Sequence, residues 1–364
     1  MGVKHIIVLA AIMLAAGGAL LYWFFLADRP SDRMTEDFIR RWLTNDNGML
    51  ATYLQDGEVE DEDEVKGREA LSETLGLWMT YAYEREDEIL FEQSYQILIR
   101  SFLAEDGFVY WKLSEQGEIE VSANAFIDDL RLAEILMKAG SVWKVGKYQE
   151  TARYILSYLE GHNIYAGIFT DFYERKENDV SDTITLSYID AAALQYLRED
   201  GTVASEPAEA TMKVLFQAPA PDGFYPKAYH IKNQRYLYDE QVNMVDQALT
   251  ALHQAEMGVV SQEFLQFIQT EMRERELVHG IYDLQSREPL VDYESPAIYA
   301  LLVMYCLEIG ETRLADALYD RMTTFRIERP SSKYYGGYSI HQEDTHIFDN
   351  VLPMLAELRM KQKS

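Results

Sequence analysis

The sequence predicts an all-α fold in which about a dozen helices form hairpins arranged in a ring. Apolar residues recur at spacings of three and four along most of the chain, as amphipathic helices require. The connections alternate between short polar turns, such as 85–87 and 309–311, and longer links rich in Gly, Tyr and β-forming residues. Helical hairpins joined in this way are expected to close into a toroid whose long links gather on one face and build a groove.

The N-terminal segment predicts one transmembrane helix. Residues 6–26 form an uncharged apolar run of 21 residues that ends in an aromatic cluster, Tyr22 to Phe25. This length spans a bilayer, and aromatic rings favour its interface. No cleavage site is evident before Pro30, so we expect an uncleaved signal anchor over residues 1–30. No low-complexity linker follows, so residues 31–364 are expected to form one domain, outside the cytoplasm.

The helical pattern divides this domain into twelve segments. The predicted helices cover residues 33–55, 70–85, 87–103, 125–139, 144–160, 183–198, 206–217, 242–257, 260–275, 294–309, 311–325 and 343–361. Within the long links, Gly107 to Leu113 alternates in polarity and predicts a short strand.

Composition and motifs exclude several classes of function. A net charge of -28 disfavours nucleic acid and anionic lipid headgroups as partners of the domain. The histidines form no zinc motif, and the single cysteine, Cys306, lies in an apolar run that predicts a buried core residue. No nucleotide-binding loop, dinucleotide fingerprint or nucleophile elbow occurs, so no metal or cofactor is expected.

Carboxylates at helix starts are the remaining candidates for chemistry. Glu73 begins an otherwise apolar, aromatic helix, where desolvation is expected to raise its pKa and suit it to general acid catalysis. The alternative is a glutamate that only stabilises the helix N-terminus. Asp128 and Asp129 open another helix, about 100° apart, so at most one faces a groove. Asp239 and Asp246 follow a third long link. Two carboxylates across a groove suit the hydrolysis of a glycosidic bond.

These segments resemble glycoside hydrolase family 8, whose members are inverting enzymes with an (α/α)6 barrel. Ser72 to Leu77 resembles the segment that carries the family's general acid, which implies that role for Glu73. The stretch from Ser122 to Ala133 resembles the family segment whose aspartate holds the sugar, which implies Asp129. Ser187 to Asp190 resembles the start of a barrel helix, and Tyr238-Asp239 resembles the catalytic base segment.

The resemblance has departures that leave the base open. The acid segment reads Ser-Glu-Thr in place of Ser-Glu-Gly, and the arginine that shortly follows Tyr-Asp in the family is absent. Asp239 is therefore the predicted base, and Asp246 is its rival. These departures are expected of a divergent branch of the family. Such a branch is similar to the membrane-anchored hydrolases that are encoded beside exopolysaccharide synthases.

The sequence thus predicts a membrane-anchored, extracytoplasmic glycoside hydrolase that cuts a polysaccharide, with β-1,4 linkages the first expectation, in endo fashion. Glu73 and Asp239 are the expected acid and base, and an inverting pair should lie about 6.5–9.5 Å apart. The substrate-binding candidates are Asp129, Asp128, Trp78, Tyr188 and Asp246. The alternatives are a non-catalytic partner of an exopolysaccharide synthase, which holds polymer in the same groove, and a helical protein-interaction scaffold.

Overall fold

A computed structural model describes residues 31–57, 65–221 and 223–363 of the chain. Within these ranges the chain forms twelve α-helices. They are α1 (Ser31–Trp42), α2 (Ser72–Glu84), α3 (Glu88–Ile97), α4 (Phe126–Trp143), α5 (Gly146–His162), α6 (Ala191–Glu199), α7 (Ser205–Phe216), α8 (Met244–Ala255), α9 (Gln262–Glu274), α10 (Pro296–Glu308), α11 (Thr312–Thr323) and α12 (Phe348–Lys363). A π-helical turn, Leu98–Phe102, extends α3.

The even-numbered helices form a closed inner ring. Each of α2, α4, α6, α8, α10 and α12 packs against the next, and α12 returns to pack against α2. The odd-numbered helices lie outside this ring, with α1 on α12, α3 on α2, α5 on α4, α7 on α6, α11 on α10, and α9 beside α11. This arrangement is a helical barrel of six hairpins, and it confirms the predicted ring of helices.

The distribution of apolar residues explains which helices lie inside. Helix α10 is apolar all round, and its residues from Pro296 to Leu307 are buried, as a helix enclosed by other helices requires. Ser295 caps its first turn, because its Oγ accepts a hydrogen bond from the Ala297 N–H at 3.2 Å. Cys306 is also buried there, which confirms the sequence prediction.

Short strands lie in the long links that precede the inner helices. They are β1 (Ala70–Leu71), β2 (Lys112–Leu113), β3 (Ile164–Tyr165), β4 (Ile168–Phe169), β5 (Tyr173–Glu174), β6 (Asp179–Val180), β7 (Thr183–Thr185), β8 (Ala228–His230), β9 (Arg235–Leu237), β10 (Gln241–Asn243) and β11 (Ile281–Asp283). Antiparallel pairs join neighbouring links: β1 with β2, β7 with β8, and β10 with β11. The links therefore gather at the end of the barrel where the inner helices begin, which we call the cleft end. The opposite end is called the far end.

Two predicted helices were too long. The helix predicted over 183–198 begins only at Ala191, because Thr183–Thr185 is a strand in which β-branched threonines pair with β8. The helix predicted over 33–55 ends at Trp42. A turn follows in which Gly48 has φ +87° and donates to the Asn45 carbonyl at 2.8 Å, and helical backbone does not adopt that φ. The strand predicted over Gly107 to Leu113 is confined to β2.

The predicted transmembrane segment, residues 6–26, lies outside the described residues. Among the helices that the structure describes, none combines the length and the apolar character that a membrane crossing demands.

Candidate active site

Glu73 lies in the first turn of α2, at the cleft end of the barrel. The preceding strand β1 fixes this position, because it pairs with β2 and the Ser72 N–H donates to the Trp111 carbonyl at 3.0 Å. Burial raises the pKa of Glu73 most, the negative charge of Asp128 adds to the rise, and Arg131 opposes both, so that the pKa of Glu73 lies at about 7. A carboxyl group with this pKa retains a proton near neutral pH and can donate it.

Asp128 lies beside Glu73, in the first turn of α4. It accepts a hydrogen bond from Ser72 Oγ at 3.1 Å, and Arg131 Nη1 contacts its other oxygen at 3.0 Å. Burial raises the pKa of Asp128, while Arg131 and Ser72 oppose this shift by stabilising the charged form. The Asp128 carboxylate is therefore held in a fixed position next to the proposed proton donor.

Asp129 points away from this group, as the helical spacing requires. It is buried, and its Oδ2 accepts a hydrogen bond from Asn124 Nδ2 at 2.7 Å. Its Oδ1 has no hydrogen-bond partner among the described residues. Burial raises the pKa of Asp129. The structure thus brings Asp128, rather than Asp129, next to Glu73, while the sugar-binding role of either aspartate stays a prediction.

Tyr188 links the carboxylates of α2 and α4 with a second group of carboxylates. It ends the 3₁₀ turn Leu186–Tyr188, just before α6. Burial raises the pKa of its hydroxyl, and the negative charges of Asp128, Asp171, Glu73 and Asp246 raise it further. Tyr188 therefore lies among four acidic side chains and remains protonated, as a hydrogen-bond donor, throughout the physiological range.

Asp246 and Asp171 form the second group. Asp246 lies in the first turn of α8, and its Oδ1 accepts a hydrogen bond from Ser187 Oγ at 2.8 Å. Asp171 accepts hydrogen bonds from the backbone N–H and the hydroxyl of Thr185, at 2.6 and 2.9 Å. Burial raises the pKa of Asp171 to about 6, and burial also raises the pKa of Asp246. Both groups feel the positive charge of Lys227, which stabilises their charged forms.

Asp239, the predicted base, lies at the rim of this group. Its side chain is 51% exposed and forms an ion pair with Lys227 at 2.8 Å. Asp239 and Asp246 line the same small cavity, but Asp246 is the one that lies close to Tyr188. The structure therefore places both candidates for the base at the cleft end, and Asp246 is the one whose charge acts on Tyr188.

Trp78, a predicted substrate-binding residue, belongs to the core. It is buried, its ring packs on Tyr81 with the centroids 5.7 Å apart, and the Arg40 guanidinium lies 5.7 Å from its ring centroid. A ring enclosed in this way cannot stack on a sugar. Trp78 follows Glu73 by five residues, so the two side chains point about 140° apart around α2, Glu73 toward the cleft and Trp78 toward the core.

Asp171 is the site residue that sequence reasoning missed. It directly follows the strand β4 and Thr170, inside a long link that is rich in aromatic residues. No helix start marks this position, and the contact with Thr185 follows from a backbone hydrogen bond in which the Asp171 N–H donates to the Thr183 carbonyl at 3.0 Å. An acidic residue within an aromatic stretch of a cleft-end link was the one available signal.

Comparison with known proteins identifies the family. Residues 36–168 match the profile described as "Glycosyl hydrolases family 8". The Bacillus subtilis (strain 168) protein named "Putative lipoprotein YdaJ" is 36% identical over 326 residues, which cover 89% of this chain and 86% of that protein. The chain belongs to glycoside hydrolase family 8.

Solved structures share its fold. An alpha-amylase from Clostridium perfringens superposes with a TM-score of 0.81 at 22% identity, covering 90% of this chain and 97% of that one. The endoglucanase Cel10 from Klebsiella pneumoniae, a family 8 glycosyl hydrolase, superposes with a TM-score of 0.62 at 15% identity, covering 91% of this chain and 100% of that one. These likenesses show the shared fold, and membership of family 8 shows that the protein is a glycoside hydrolase, on a divergent branch of that family.

Proposed function

We propose that this family 8 hydrolase cleaves a polysaccharide by acid and base catalysis, with Glu73 as the general acid and Asp246 as the general base. The observation that carries the proposal is the position of Tyr188, because the negative charges of both carboxyl groups, together with burial, raise the pKa of its hydroxyl. Glu73 and Asp246 begin two different inner helices, α2 and α8, and so approach one point at the cleft end from different sides of the ring.

The two carboxyl groups have the environments that their roles require. Glu73 has a pKa of about 7 and holds the proton that the leaving glycosidic oxygen needs. Asp246 is stabilised in its charged form by Ser187 and by the charge of Lys227. Among the described residues Ser187 donates to Oδ1 of Asp246, so Oδ2 is the oxygen that accepts a proton from water.

The proposed step is a single displacement. A water molecule attacks the anomeric carbon while Asp246 removes one of its protons, and the bond from that carbon to the glycosidic oxygen breaks. Glu73 gives its proton to the leaving oxygen, so no charge is left on the departing sugar. Asp128 and the Tyr188 hydroxyl lie beside Glu73 and are positioned to hold hydroxyl groups of the sugar at the cleavage point.

The proposal also covers where the enzyme acts and at which point of the polymer it cuts. We place the enzyme outside the cytoplasm, held by a helix over residues 6–26, where it meets a long polymer and cuts within the chain. The name of the Bacillus relative, which includes the word lipoprotein, supports attachment to a membrane. A partnership with an exopolysaccharide synthase fits the same location.

The test is hydrolysis by the full-length protein in detergent and by its Glu73→Gln and Asp246→Asn variants. The panel should contain β-linked glucan, xylan, chitosan, the producer's own exopolysaccharide, and starch because a structural neighbour is an alpha-amylase. We expect new reducing ends from at least one polymer with the wild type, and a loss of at least about 10²-fold in each variant, since loss of an acid or base removes that much catalysis.

Asp239→Asn is the matched control, because it removes a carboxylate from the same small cavity. We expect this variant to keep most of its turnover. Turnover that survives in Asp246→Asn and disappears in Asp239→Asn would return the role of base to Asp239. Binding of a polymer by wild type and variants alike, without turnover in any, would contradict the hydrolytic role of this site.

A further inference from the structure

Lys227 lies among the carboxylates on the side of the cleft where α8 begins. Its ammonium group forms an ion pair with Asp239, with Nζ 2.8 Å from Oδ2. Lys227, Asp239 and Asp246 line one cavity of about 20 Å³, which has room for about one water molecule. Lys227 and the proposed base therefore face the same narrow space.

Backbone hydrogen bonds fix the position of Lys227. Its N–H donates to the Leu237 carbonyl in β9 at 2.9 Å, and its carbonyl accepts from the Leu186 N–H at 2.8 Å. The next residue, Ala228, pairs with Thr185 in the antiparallel pair of β7 and β8. The main chain at Lys227 is thus held from two sides, and the side chain extends from a fixed point.

The residues that hold this backbone also hold two of the carboxylates. Thr185 donates to Asp171 through its N–H and its hydroxyl, and Ser187 donates to Asp246 at 2.8 Å. The residue between Thr185 and Ser187 is the one that binds the Lys227 carbonyl. One short stretch of chain therefore sets the places of a lysine and two aspartates together.

The charge of Lys227 offsets the carboxylates that oppose ionisation of Asp246. Burial raises the pKa of Asp246 most, Ser187 and Lys227 lower it, and Asp239 raises it. Asp171 and Asp246 also repel each other when both are charged. The hydrogen bond to Asp239 and the three negative charges raise the pKa of Lys227 in turn, so the lysine stays protonated. Without Lys227, Asp246 would keep its own proton to higher pH and could not accept one from water.

Within the described residues, the other titratable groups beside the start of α8 are neutral or bound elsewhere. The Tyr188 hydroxyl stays protonated at physiological pH. Asp190 caps α6, and Asp283 accepts hydrogen bonds from its own turn. His279 acts on Glu294, which binds an arginine of α11.

We propose that Lys227 is a positioning residue for the base: it keeps Asp246 ionised as the pH falls, and Asp239 limits this effect because it shares the ammonium group. This role rests on the proposed function, in which Asp246 takes a proton from water. Lys227 acts through Asp246, and Asp239 acts on the same carboxylate in the opposite direction. A lysine and an aspartate that only stabilised the fold would not have opposite effects on the base.

The pH profile of kcat/KM tests this proposal, with the full-length protein in detergent and a polymer that the wild type cleaves. Lys227→Met removes the charge and keeps a long side chain. The acid limb should therefore move about one unit to higher pH, which lowers activity on that limb about tenfold. Lys227→Arg should restore the wild-type limb, because it restores the charge.

Asp239→Asn should move the acid limb in the other direction, to lower pH. The change removes a negative charge near Asp246 and leaves Lys227 less neutralised. This variant also keeps the proposal testable if Lys227→Met fails to fold. Lys232→Met is the control, since Lys232 is exposed in the turn between β8 and β9, and its profile should follow that of the wild type.

Carbon-13 NMR of the aspartate carboxyl groups gives a second readout, which needs no turnover. The resonance that disappears in Asp246→Asn identifies the base, and its titration should move to higher pH in Lys227→Met and to lower pH in Asp239→Asn. These shifts in a protein without hydrolytic activity would refute the proposed function and still support the control of Asp246 by Lys227. A titration and an acid limb that stay in place in Lys227→Met, or that move the same way in both variants, would overturn the proposal.

Discussion

Burial and two neighbouring charged residues set the pKa of Glu73. Burial raises it most, the neighbouring Asp128 raises it further, and Arg131 lowers it. Arg131 is bound to Asp128 at 3.0 Å, so part of its charge is already neutralised before it acts on Glu73. The Asp128–Arg131 pair therefore helps to determine the pH at which the general acid, Glu73, loses its proton.

Asp128→Asn should move the pH profile of the enzyme. Since a general acid works only while protonated, kcat/KM of the wild type should fall as the pH rises through about 7, the pKa of Glu73. Removing the charge of Asp128 lowers that pKa and leaves Arg131 free to lower it more, so the alkaline limb should shift to lower pH. The measurement is reducing-end release from about pH 5 to pH 9.

The control for this shift is Asp292→Asn, because Asp292 is exposed on a cleft-end link and does not perturb Glu73. Its profile should follow that of the wild type. An alkaline limb that stays in place in Asp128→Asn, or that moves to higher pH, would show that Asp128 does not control the acid.

Helix α2 approaches α4 closely, and Gly76 makes this contact possible. A Cβ atom at position 76 would lie 3.2 Å from Cδ of Arg131 and 3.5 Å from its Cγ. Glycine inside a helix costs about 1 kcal/mol relative to alanine, and the room that Gly76 leaves for the Arg131 side chain offsets this cost. The glycine in the Ser-Glu-x-x-Gly segment thus leaves room for the arginine that holds Asp128.

Gly76→Ala should impair turnover more than stability. The added methyl group displaces Arg131 and weakens its contact with Asp128, while the gain of about 1 kcal/mol in helix propensity offsets the crowding. We expect a several-fold lower kcat with a melting temperature within a few degrees of the wild type. Gly161→Ala in α5 is the matched control, because a Cβ there meets nothing within 4 Å. Equal kcat values in the two variants would contradict this role of Gly76.

The sequence predicted those features that depend on neighbouring residues and missed those that depend on pairing across the chain. All twelve helices have a counterpart among the predicted segments, because their apolar spacing is local. Thr183–Thr185 was predicted helical because its partner strand, β8, lies more than forty residues away. Asp171 and Thr185 lie fourteen residues apart within one link, and no helical or strand period of the sequence relates them.

The direction of the chain determines how the whole molecule would sit on a membrane. Helix α1 begins at Ser31, and the neighbouring Asp32 forms an ion pair with Lys361 in the last turn of α12. The inner helices end on that side, so the chain enters the barrel at the far end. Four residues, 27–30, separate the predicted anchor from Ser31 and reach at most about 14 Å. An anchor in the membrane would therefore hold the far end close to the lipid and direct the cleft away from it.

Energy transfer to a lipid-bound acceptor can measure this orientation, because the native Cys306 is buried and burial raises the pKa of its thiol to about 12. Ile89→Cys places a dye at the far end and Leu290→Cys at the cleft end, at positions 74% and 48% exposed. The inner helix α4, with 18 residues, is about 27 Å long. In liposomes the full-length protein labelled at position 89 should therefore transfer energy more efficiently than the protein labelled at position 290.

The reverse order would place the cleft against the lipid, and no transfer from either dye would instead refute the anchor. The expected order means that the enzyme reaches polymer that has already moved at least a helix length away from the membrane surface.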